Sequence, residues 1–145
     1  MKMRGLDNKG FTIGEFTAVF MIVLVIVFLL QPFIRRIHDR SDRVACANNL
    51  RQLGKAIYVY AREHHGEFPG TLKALYDEQY LADARFVDCP ASRHKGTPDD
   101  PDYIYAPGLS VNDPSTDILL RGRPGSHPDG GNALHVNGAI SWEEK

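Results

Sequence analysis

Two cysteines, Cys46 and Cys89, and six histidines, His38, His64, His65, His94, His127 and His135, are the side chains best suited to metal or redox chemistry here. The cysteines are far apart, and no Cys-x-x-Cys or His-x-x-x-His pair is present. The closely spaced pairs of a local zinc motif are therefore missing. The expectation is one long-range disulfide between Cys46 and Cys89 in an oxidising compartment, with two buried free thiols as the alternative. By donor type alone, Cys46, Cys89, His94 and His127 form a conceivable zinc quartet. The plainer reading leaves the histidines exposed or capping. A second set of donors is acidic. Asp99, Asp100 and Asp102, with Asn112, Asp113 and Asp117, offer hard oxygens on loops, which is what calcium takes. Their spacing fits no fixed motif, and a solvated acidic loop is the plainer alternative. No Gly-x-Ser-x-Gly elbow or Gly-rich phosphate loop occurs, so the expectation is a protein that is not an enzyme.

These residues must be held by a chain of 145 residues whose net charge is -1. That balance offers no basic face for nucleic acid. Apolar content is unevenly placed: no charged residue occurs between Phe16 and Ile34. At about 1.5 Å per residue, a helix over residues 11–34 is roughly 36 Å long, enough to cross a bilayer. Lys2, Arg4 and Lys9 precede this run, as in a secretory signal. Gln31-Pro32-Phe33-Ile34-Arg35-Arg36 follows it, with no small-x-small cleavage site. Arg35, Arg36, Arg40 and Arg43 balance the basic residues upstream, so charge alone does not orient the span.

The junction Lys9-Gly10-Phe11-Thr12-Ile13-Gly14-Glu15 resembles the prepilin peptidase site of type IV pilins and pseudopilins. The resemblance implies cleavage after Gly10, methylation of the new N-terminal Phe11, and a functional Glu15. Gly14 departs from the larger apolar residue usual in the family and loosens the first turn by about 1 kcal/mol relative to Ala. A carboxylate in a bilayer costs roughly 2.5–3.5 kcal/mol at the centre. In the family it is offset by the N-terminal amine of a neighbouring subunit. The alternative is a Glu15 that stays wet at the interface.

Beyond the span, Cys46, Leu50, Leu53, Ile57 and Tyr60 recur at spacings of four and three, one face of an amphipathic helix. One helix is thus expected from about Phe11 to Glu63, kinked at Pro32 and stopped at Gly66. The run Cys46-Ala-Asn-Asn-Leu-Arg-Gln-Leu, the Tyr60-Ala61 pair and Gly66-Glu-Phe-Pro resemble a large set of pseudopilin-like proteins. So does the C-terminal pattern of His127, nine residues, and Asn137-Gly138, where the family has Asp-Gly. A short helix over 71–80 with Thr71 as N-cap, an extended piece over 85–90, and strands at 103–105 and 118–120 complete the reading. Asn137-Gly138 predicts a hairpin with a type I′ turn.

The expected class is α+β: a long N-terminal helix, transmembrane in its first half, on a small antiparallel sheet. The divisions are a leader (1–10), a transmembrane helix (11–34), its amphipathic continuation (35–65) and a small periplasmic head (66–145). The resemblance implies a structural pseudopilin of a type II secretion filament, single-pass in the inner membrane. Its partners would be prepilin peptidase, related subunits through the N-terminal helix, the secretion assembly platform and membrane lipid, with no nucleic acid. A type IV pilus subunit shares the same N-terminus. A reading of another class is an uncut, membrane-anchored metal-binding protein. No cofactor is required, with calcium at Asp99, Asp100 and Asp102 as the candidate ion.

Overall fold

The computed structural model describes residues 13–145. The chain divides into two compact units, residues 1–37 and 38–145. Helix α1 (Ile13–Glu63) contributes to both. In the first unit it runs through Pro32 without interruption. Pro32 donates no backbone hydrogen bond, so one carbonyl in the preceding turn loses its helical partner. The side chains of this stretch are almost wholly apolar and none is buried; Phe16, Phe20, Leu24 and Phe28 are each about half exposed or more. The helix is long and apolar enough to cross a membrane.

The second unit is an α+β head. It begins at His38, so the last part of α1 belongs to its core. The buried stripe of α1 is Cys46, Leu50, Leu53, Ile57 and Ala61, with Gly54 and Ala56 between them. Strands β1 (Tyr103–Tyr105), β2 (Ile118–Gly122), β3 (Gly130–His135) and β4 (Ile140–Glu144) form one antiparallel sheet in the order β1-β2-β3-β4. Leu119, Leu120, Leu134 and Tyr103 join the helical stripe in one core. Register slips between Ile118 and Leu120 of β2, where Leu119 is the extra residue. Alternation alone would turn one of two successive leucines outward; the irregularity lets both be buried. Gly54 allows β3 to come close, since a Cβ there would lie 2.9 Å from Leu134 Cδ2.

Several local expectations change. Helix α1 ends with the Gly66 N–H donating to the Ala61 carbonyl at 2.8 Å, and the left-handed conformation already begins at His65, with φ 54°. The short helix α2 (Leu72–Asp77) starts as predicted, with Thr71 Oγ1 accepting from the Ala74 N–H. It stops before Tyr80 because Gln79 adopts φ 64°. The start of the piece expected to be extended (85–90) instead belongs to a 3₁₀ turn, Ala84–Val87, with the Asp83 carboxylate capping the Arg85 N–H at 2.9 Å. The hairpin at Asn137-Gly138 is present, but its turn is not type I′. Only Gly138 has positive φ, 81°, and its N–H donates to the His135 carbonyl at 2.9 Å. Type I′ needs positive φ at both central residues, whereas a left-handed Gly closing the turn belongs to a three-residue loop.

Candidate metal centre

Three elements meet at one buried point. Helix α1 brings Cys46, the loop after the 3₁₀ turn brings Cys89, and the β2–β3 connection brings His127. All three are buried, and their ligating atoms lie within 4.8 Å of one another. Cys89 Sγ is 3.7 Å from His127 Nε2. Among the described residues this is the one group of three or more His, Cys, Asp or Glu side chains close enough to share a metal ion.

Each arm has a local reason for its position. Cys46 lies on the buried stripe of α1. Asn49, one turn on, donates from Nδ2 to the Asp88 carbonyl at 2.8 Å and fastens the Cys89 loop to the helix. Asp102, fully buried, holds that loop from the other side. Its carboxylate accepts from the Cys89 N–H at 3.0 Å, the Ser92 hydroxyl at 3.1 Å and His94 Nδ1 at 2.9 Å. Gly96 completes the loop: its N–H donates to Asp88 Oδ1 at 2.8 Å, and a Cβ there would strike the Val87 carbonyl oxygen at 2.3 Å. His127 follows a turn in which the Ser126 N–H donates to the Arg123 carbonyl. Pro124 and Gly125 occupy its central positions, and Gly125 has φ 88°, the requirements of a type II turn. The imidazole then packs edge-on against Trp142, with centroids 5.5 Å apart. Arg43 covers the same indole at 4.0 Å and pairs with Asp129 at 2.9 Å.

The cysteines are buried free thiols, adjacent but unbonded. The disulfide expected from the sequence has its two residues in place, without the bond. The Tyr103 hydroxyl donates to Cys46 Sγ at 3.5 Å. Hydrogen bonding from Cys89 foremost, opposed by burial and aided by Tyr103, His127 and Asn132, holds the Cys46 thiol below its usual range. The same Cys46–Cys89 hydrogen bond, with burial, raises the Cys89 thiol.

The other predicted ligands go elsewhere. His94 leaves the zinc quartet for Asp102 and for Asp100, 3.0 Å from its Nε2. The calcium set does not converge. Asp102 is buried under three donors, Asp100 pairs with Arg123 and His94, and Asp99 lies 4.0 Å from Lys73 Nζ. Asp113 caps its own loop through the Ser110 N–H and hydroxyl. Carboxylates already engaged by cations and N–H groups make a poor calcium shell. Of the processing residues, Gly10 and Phe11 lie outside the described residues, while Glu15 sits in the first turn of α1.

Sequence reasoning missed Asp102 as the anchor of the Cys89 loop, along with Tyr103 and Asn132 beside Cys46 and Trp142 against His127. No local pattern marks them; the nearest signal is the density of polar residues around Cys89-Pro90. No family model, no curated protein and no solved structure matches this chain.

Proposed function

We propose that this protein is a pilin-like structural subunit, a pseudopilin of a type II secretion filament. In this reading it is cut after Gly10, methylated at Phe11, and held in the inner membrane by its N-terminal helix with the head on the far side. The observation that carries the reading is the uncovered apolar stretch of α1 with Glu15 in its first turn. An apolar side chain gains about 1.5–3 kcal/mol by full burial, so the exposed Phe, Leu, Ile and Val residues of this stretch call for lipid and for neighbouring helices. A carboxylate at the head of such a helix gains most from a cation at the same depth, and the amine of a neighbouring subunit supplies one. Intersubunit pairing would then set the stagger between helices, as a buried polar residue sets register in a coiled coil. The α+β head supports the reading through its architecture, a sheet folded onto the last part of a long helix. A type IV pilus subunit would share these features.

Glu15→Leu tests the proposal. The variant is expected to be processed, to reach the membrane and to keep the thermal transition of the head, yet to co-assemble poorly with wild-type subunits. Assembly at the wild-type level would remove Glu15 from the filament contact and return it to a wet interfacial role.

A further inference from the structure

The Cys46–Cys89–His127 cluster plays no part in anchoring or assembly by the N-terminal helix. We propose that these three residues bind one thiophilic cation, Zn²⁺ foremost, and that the ion ties helix α1, the Cys89 loop and the β2–β3 connection together.

The donor set is right for such an ion. Two thiolates and an imidazole suit zinc and its soft neighbours and are wrong for calcium or magnesium. The spacing is also close to that of a loaded site. With Zn–S near 2.3 Å and Zn–N near 2.0–2.1 Å, tetrahedral ligands stand about 3.5–3.8 Å apart. Cys89 Sγ and His127 Nε2 are 3.7 Å apart, and the third ligand atom lies within 4.8 Å of both. Closing the set on an ion requires a contraction of about 1 Å at most.

Two independent observations point to a ligand. His127 is 1% exposed, and its polar neighbours are the two thiols. Its Nδ1 has no hydrogen-bond partner. Burying an imidazole on a weak sulfur contact is costly, and hydrogen bonding alone does not account for its place in this core. A metal–nitrogen bond at Nε2 would replace that weak sulfur contact with a strong one, while Nδ1 would stay without a partner. The second observation is the support behind Cys89. A fully buried carboxylate, Asp102, fixes the cysteine's own backbone N–H, and Asn49 fixes the neighbouring carbonyl. The loop that presents the sulfur is thus held in place from both sides, as the residues behind a metal ligand should be. Binding replaces the thiol proton by the metal and releases it to solvent.

A disulfide between the same cysteines is the competing fate of the two sulfurs, and it needs nothing from His127. The experiment uses the full-length protein in detergent, purified with reductant and chelator and then freed of both. It is titrated with Zn²⁺ against a chromophoric chelator, and in parallel with Co²⁺ as an optical probe. The expected result is one equivalent of Zn²⁺ bound, a rise in the thermal midpoint of the head, and a sulfur-to-cobalt absorption band with Co²⁺. Cys46→Ser and His127→Gln should each lose the equivalent and the band, whereas His65→Gln, at an exposed position outside the cluster, should keep both. Should the first two variants fail to fold, wild-type protein oxidised to the disulfide replaces them, and it must bind no metal. No uptake by the reduced wild type would overturn the proposal, as would uptake unchanged by His127→Gln or by oxidation.

Discussion

Helix α1 presents apolar side chains at both ends, yet only one end covers them within the chain. Val23, Leu24 and Val25 are about half exposed, while Leu50, Leu53 and Ile57 are fully buried. The difference lies in what surrounds them. From His38 onward, the polar faces of the helix leave one apolar stripe, and the sheet and the Cys89 loop fill against it. From Phe16 to Ile34 the helix carries no charged side chain and is apolar on every side but for Thr17 and Gln31, and a single sheet face would leave most of that surface uncovered. A stripe specifies a partner within the chain; a helix that is apolar on every side specifies a lipid environment and other helices. The head is therefore the part whose stability can be read from its own contacts, and the span is the part whose energy belongs to an assembly.

That contrast can be broken most forcefully at Asp102. Asp102→Ala removes one acceptor from three donors, one of them the buried Cys89 N–H. The expected loss in head stability is about 3–5 kcal/mol, the cost of stranding buried polar partners. Denaturant unfolding followed by near-ultraviolet circular dichroism measures it. A loss under about 1 kcal/mol would mean that the Cys89 loop is held by its apolar contacts alone.

A matched pair of truncations sharpens the comparison. Leu53→Ala, within the stripe, should cost about 2–5 kcal/mol of head stability. Val25→Ala, on the uncovered stretch, should leave the head transition where it is. Equal effects from the two would contradict the division of α1 into a self-covered and a partner-covered part. The smallest effect is expected at the edge of the head. Thr71→Ala deletes the cap of α2 and should cost about 1 kcal/mol, read as a shift of the same unfolding curve.

The α+β class, the long helix, its buried stripe and the final hairpin were legible in the sequence because each rests on short-range pattern. Leu50, Leu53 and Ile57 mark their face by spacing alone, and Asn137-Gly138 marks its turn by composition. The turn type was not legible, because Asn tolerates both signs of φ and the surrounding ladder decided. The Asp83 cap turned residues 84–87 into a 3₁₀ segment although Phe86 and Val87 favour strands. The candidate site was half legible. Donor type named Cys46, Cys89 and His127, but also His94, because nothing local says which histidine a buried carboxylate will claim. Asp102 appeared to be one acid among several on a loop; its burial follows from β1 starting at the next residue and carrying it into the core.

The reading of the N-terminal stretch as a processed pilin-like anchor is tested most directly by the mature N-terminus. Full-length protein, produced in cells with an active prepilin peptidase and extracted from the membrane, is analysed by intact mass and N-terminal sequencing. The account predicts a chain that begins at methylated Phe11, with residues 1–10 gone. A chain that still begins at Met1, in cells that process another prepilin normally, would contradict it and leave α1 as an uncut anchor.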